Sequence, residues 1–101
     1  MVWLKSDMSR HILEELELGL GSGGRIRILF TLADKPEKPY TKYALEQITG
    51  LKAVEVRRQL KILTQLGWVK VASREPEIYQ LNLENKIVKD LLQFLKRVKI
   101  P

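Results

Sequence analysis

The sequence predicts a mainly α domain with a small β-hairpin, an α+β fold, and three observations carry that reading. Apolar residues recur at spacings of three and four along most of the chain. Two short runs, Trp68–Ala72 and Ile78–Leu83, alternate with a period of two and flank the charged turn Ser73-Arg74-Glu75-Pro76. Glycines and prolines fall between these segments, where they end regular structure.

At 101 residues the chain has room for one domain with one modest core, and 45% apolar content is enough to build it. The expected organisation is an N-terminal helix within 1–20, a compact unit over 22–83 and a C-terminal helix over 85–99. The first helix, Trp3–Leu18, carries Leu4, Met8, Ile12, Leu13 and Leu16 on one face. Ser6 or Ser9 is its candidate cap. Glu14, Glu15 and Glu17 give it a net negative end, so it is expected to face away from an anionic partner. Gly19-Leu20-Gly21-Ser22-Gly23-Gly24 breaks the chain and leaves Ser22 as the next N-cap. This run lacks the Lys-Ser/Thr of a phosphate loop and the preceding strand of a dinucleotide fingerprint.

A second helix is expected over Gly24–Ala33, with Ile26, Leu29, Phe30 and Ala33 facing the core. The two prolines of Asp34–Pro39 stop it, and Pro39-Tyr40-Thr41 makes a short extended piece. Thr41 caps a third helix, Lys42–Thr49, which buries Leu45, Ile48 and either Tyr43 or Ala44. Gly50 ends it in a left-handed conformation. A fourth helix runs from about Lys52 to Leu66, with Val56, Leu60, Leu63 and Leu66 or Gly67 inward. Its outer side carries Lys52, Glu55, Arg58 and Lys61 or Ile62, with Arg57 alongside. The hairpin follows: Val69 and Val71 face one way, with Trp68, Lys70 and Ala72 the other, and Tyr79, Leu81 and Leu83 face one way, with Ile78, Gln80 and Asn82 the other. Asn85 caps a last helix, Lys86–Val98, whose apolar stripe is wider than one small core needs.

The net charge is +6, and six cations from Lys52 to Arg74 against Glu55 place +5 of it between Leu51 and Arg74. A basic helix followed by a basic hairpin is a device for holding a phosphate backbone. The absence of cysteine removes disulfides, thiolate ligands and a thiol nucleophile. His11 is the only histidine and stands in no metal-ligand spacing. No nucleophile–base arrangement is visible, so the expectation is a non-enzyme without metal or cofactor. No signal peptide and no run of about 20 apolar residues is seen, so a cytoplasmic, nucleoid-associated protein is expected.

Three runs carry a resemblance: Ala44–Leu51, then Val56–Leu63, then Leu66-Gly67-Trp68-Val69. With them, Gly24–Asn82 resembles the winged helix-turn-helix DNA-binding domains of small prokaryotic transcription regulators. The likeness is strongest to MarR/ArsR-like regulators and their compact archaeal relatives. The resemblance implies a recognition helix at 52–66 in the major groove and a wing at 68–83 on the backbone or minor groove. Where that family often places serines or threonines, this chain has Lys52, Ala53, Val54 and Glu55. The sensor cysteines of one branch are absent.

A helix about 10–12 Å across matches the B-DNA major groove. The expected DNA contacts are Tyr40, Thr41, Lys42, Lys52, Arg57, Arg58, Lys61, Lys70 and Arg74. Terminal helices pair protomers in the resembling family, so Trp3, Leu4, Ile12, Leu16, Ile87, Leu91, Phe94, Leu95 and Val98 are the expected homodimer interface. Packing of both helices on their own domain is the alternative. The partner expected is double-stranded DNA bound by a homodimer, with no membrane; no effector is indicated. Two other functions stand beside it: a winged-helix protein-interaction scaffold, and a non-specific nucleoid or RNA-binding protein.

Overall fold

The structure, a computed structural model, describes residues 23–97. The first helix, Ser22, and Trp3, Leu4, Ile12, Leu16 and Val98 of the expected interface lie outside the described residues. Within them the chain is mainly helical with a small antiparallel sheet, the expected α+β class. In order, the elements are α1 (Gly23–Asp34), β1 (Tyr40–Thr41), α2 (Lys42–Thr49), α3 (Ala53–Gln65), β2 (Val69–Arg74), β3 (Glu77–Leu81) and α4 (Lys86–Arg97).

Helix α1 is the hub. Ile26, Ile28, Leu29, Phe30, Thr31 and Leu32 are all buried. The expected stripe held only Ile26, Leu29, Phe30 and Ala33, and missed Ile28 and Leu32, which are fully buried. The cause is two-sided cover. One side of α1 meets the main core of Leu45, Val56, Leu60, Leu63, Tyr79 and Leu81, and the other side, Ile26 and Phe30, meets Leu95 of α4.

Thr41 caps α2 as the sequence predicts, with the Ala44 amide donating to its Oγ1 at 3.0 Å. Tyr43 is 68% exposed, so Ala44 supplies the inward contact that the sequence left open between the two. Thr49 is fully buried and donates to the Leu45 carbonyl at 2.6 Å, which satisfies its hydroxyl. Gly50 closes α2 at φ 77°, and its amide reaches the Glu46 carbonyl. An added Cβ there meets nothing within 4 Å, so glycine is required by the left-handed backbone alone.

Helix α3 buries Val56, Gln59, Leu60 and Leu63. Leu66, offered as a core position, is 52% exposed. The helix has ended by then, and Gly67 at φ 77° turns the chain so that Trp68 packs on the core instead.

The extended piece at Tyr40–Thr41 is a true edge strand. It pairs with β3, making a three-stranded sheet in the order β1-β3-β2 rather than an isolated hairpin. The cross-strand row Tyr40–Tyr79–Val71 lies in register. The strands of the hairpin reach further into the turn than expected, to Arg74 and from Glu77, and stop short at the other end, at Val69 and Leu81, with a bulge between Val71 and Ser73. The turn is thus Glu75-Pro76, shorter than the four residues read from sequence. Asn85 caps α4 as expected: Oδ1 accepts from the amides of Ile87 and Val88, at 2.9 and 3.1 Å. Its Nδ2 donates to the Gly67 carbonyl at 3.2 Å, which ties α4 to the base of the hairpin.

Candidate nucleic-acid interface

Helix α3 places its cations by simple geometry. Val56, Leu60 and Leu63 fix the inner side, and at 100° per residue the opposite side falls at Val54, Arg58, Lys61 and Gln65, with Arg57 on the flank. All five are exposed. Lys52 is the N-cap residue of α3; it is exposed and makes no side-chain capping bond. Lys52, Arg57, Arg58 and Lys61, four of the expected contacts, are therefore brought together along one helix.

Glu55 does not share that face. Its side chain turns toward α1, where a Cβ on Gly24 would lie 2.9 Å from Oε2. Oε1 accepts from Arg58 Nη2 at 2.6 Å, and Oε2 accepts from Gln59 Nε2 at 2.6 Å. Gln59 Oε1 in turn accepts from Arg25 Nε at 2.9 Å. The Arg58 bond, then the Gln59 bond, hold the Glu55 carboxyl below the usual carboxylate range. Sequence reasoning missed Arg25 and Gln59. The signal was present for Gln59, which lies three residues after Val56 and four before Leu63, on the buried side of the helical period.

The hairpin is less basic than the sequence reading made it. Lys70 is exposed, but Arg74 stands in register with Glu77 across the strands, beside Glu75. Two cations face two carboxylates between Val69 and Leu81. Lys70 stands in register with Gln80, with no carboxylate opposite it, whereas Arg74 lies near enough to Glu77 to help hold that carboxyl low.

Three of the expected contacts have other jobs. Tyr40 is 7% exposed and part of the core, so it is not a surface contact; burial, then Asp34, pushes its hydroxyl pKa up. The Thr41 hydroxyl is occupied as the α2 cap. Lys42 Nζ pairs with Glu77 Oε1 at 3.2 Å and lies 5.9 Å from the Tyr79 ring centre. The Tyr79 hydroxyl donates to the same Glu77 oxygen, and burial followed by that carboxylate pushes the Tyr79 pKa up to about 12. Glu77 is correspondingly held low by Tyr79 first and Lys42 second. This cluster fastens the start of α2 to β3.

On α4 the expected dimer stripe divides. Leu95 is buried against Ile26 and Phe30, and Leu91 packs between the two cores, so these residues cover their own domain. Ile87 and Phe94 remain outward, 56% and 43% exposed. An open groove of about 600 Å³ lies between the 35–38 loop and α4, lined by Leu83, Leu92 and three lysines among others. Its polar side chains form no nucleophile–base pair. Among the described residues no cluster of His, Asp or Glu is arranged to hold a metal ion, and no helix is long and apolar enough to cross a membrane.

No protein-family model matches the chain, and no curated protein and no solved structure is significantly similar to it.

Proposed function

We propose that this chain is a winged-helix DNA-binding protein that acts as a homodimer in transcriptional regulation. In this reading α2 and α3 form a helix-turn-helix, α3 enters the major groove, and the β2–β3 hairpin is a wing over the adjacent backbone. The observation that carries it is the exposed row Arg57, Arg58 and Lys61 on α3, with Lys52 at its start. These cations are spaced along one helix face and backed by a rigid core, as phosphate and base-edge contacts require. With Lys70 they make about five phosphate contacts per domain, so log K should fall against log salt with a slope of about −4 to −5. Gel shifts on duplex DNA over a salt series test this. The absence of duplex binding below about 100 mM salt, where counterion release is strongest, would sink the reading.

Ile87 and Phe94, one turn either side of Leu91, are the outward apolar pair of α4. We assign them to the two-fold contact, which would set two α3 helices about 34 Å apart on a palindrome. Phe94→Glu is expected to shift the protein from dimer to monomer in sedimentation and to leave the melting midpoint of each domain nearly unchanged. A wild-type monomer at high concentration would refute the dimer and leave single-domain DNA binding standing.

A second reading, a winged-helix protein scaffold, draws on the charge balance of the hairpin and on the exposure of Tyr43 and Leu66. Recovery of a stoichiometric protein partner from nuclease-treated lysate, together with no duplex binding, would favour it.

A further inference from the structure

The carboxylate on α3 is placed where DNA binding would be weakened by a bare negative charge, yet the structure leaves neither of its oxygens bare. Oε1 holds Arg58 at 2.6 Å and Oε2 holds Gln59 at 2.6 Å, while Gln59 is 3% exposed and anchored to Arg25 at 2.9 Å. The Glu55 carboxylate also lies against the first turn of α1, where a Cβ on Gly24 would meet Oε2 at 2.9 Å. A carboxylate is favoured at that end of a helix by the macrodipole. The Glu55 side chain is 27% exposed and that of Arg58 66% exposed, so the anchor is inside and the guanidinium outside.

We infer that Glu55 is a positioning residue for Arg58, and that Arg58 so held is the side chain with which α3 reads a guanine. The inference rests on the DNA-binding reading and deepens it. A free arginine on a helix surface samples many rotamers, and a fork aimed at one base must lose that freedom on binding. Here a charge-assisted bond to one N–H has already removed much of it. The remaining N–H donors of the guanidinium are still available as a fork, the group that matches guanine O6 and N7. Arg57 and Lys61 make no such carboxylate bond among the described residues and suit phosphates, which demand charge rather than aim. Gln59 and Arg25 complete the arrangement by keeping the Glu55 carboxylate turned toward α1 and away from the phosphates.

The experiment uses the full chain and a duplex selected by it from a random pool. Each guanine of the selected site is replaced in turn by 7-deazaguanine, which lacks only the N7 acceptor. At one guanine the wild type should lose about fivefold to tenfold in affinity, and Arg58→Ala should be indifferent to that replacement. Glu55→Ala should bind a random duplex at least as tightly as the wild type, because a negative charge has gone. It should nevertheless lose most of the 7-deazaguanine penalty. Glu55→Gln, whose amide oxygen can still accept from Arg58, should keep part of it. A full penalty in Glu55→Ala, or no guanine whose penalty depends on Arg58, overturns the inference while DNA binding stands. Equal gains by Glu55→Ala on selected and random duplexes overturn it too, since Glu55 would then be only a repelling charge. Failure of the wild type to bind any duplex overturns both readings.

Discussion

Replacing Arg57, Arg58 and Lys61 together with alanine is expected to reduce duplex affinity by about two orders of magnitude near 0.1 M salt and to flatten the salt dependence by a slope of about 2 to 3. The expectation follows from counterion release: each cation that meets a phosphate contributes nearly one unit of slope. All three residues are exposed on α3, Arg58 and Lys61 opposite Val56, Leu60 and Leu63 and Arg57 on the flank, so the core is untouched. Among the described residues the one side-chain bond these three make is the exposed pair of Arg58 with Glu55, and such a pair contributes about 0.3–0.5 kcal/mol. The melting midpoint should therefore stay close to that of the wild type. A folded triple variant whose duplex affinity moves by less than about threefold would show that α3 is not the DNA-facing helix, because two lost phosphate contacts and a lost base contact cannot be that cheap.

Leu63→Ala is expected to cost about 2–5 kcal/mol, a large part of the total stability of a domain this size. Leu63 is fully buried, in the cluster where α1, α2, α3 and β3 meet. Truncation there loses the transfer energy of the side chain and opens a cavity bounded on all sides, which the surroundings cannot collapse to fill. At about 4–8 °C per kcal/mol, the midpoint should fall by at least about 10 °C. Leu66→Ala is the internal control. It removes the same atoms three residues on, at the C-cap of α3, but from a side chain 52% exposed, and should cost under about 1 kcal/mol. Thermal melts of the pair check both. Similar losses at the two positions would mean that the inner face of α3 is rotated from the one described.

Much of this fold was legible before any coordinates, and the reason is local chemistry. Thr41 and Asn85 each offer a side-chain oxygen to amides two or three residues on, so caps announce themselves within one turn of chain. Gly50 is read the same way, because a helix end needs a left-handed residue. The apolar period of α3 placed Val56, Leu60 and Leu63 inward, and the exposed cations followed as the complement of that face. Helix α1 was not legible in detail. With apolar residues at 26, 28, 29, 30 and 32, no single stripe can be chosen, and only cover by α4 on one side and the sheet and helices on the other explains why all are buried. The third strand was equally hidden: two residues, Tyr40 and Thr41, are too few to carry a period, and they become a strand only because β3 offers its free edge.

The basic segment from Leu51 to Arg74 was a property of sequence alone, and so was its division into a helix and a hairpin, since both follow from charge and periodicity. Which of its charges remain free to meet a partner was decided by the tertiary structure. Glu77 arrives opposite Arg74 through strand register, and Lys42 reaches the same carboxylate because β1 lies beside β3. Glu55 turns to α1 because Gly24 leaves it space and Gln59, held by Arg25, leaves it a donor. Sequence determines how many charges a segment carries and on which side of a helix they fall. Pairing between charges distant in the chain falls off steeply with distance, so it depends on contacts that only the folded chain creates.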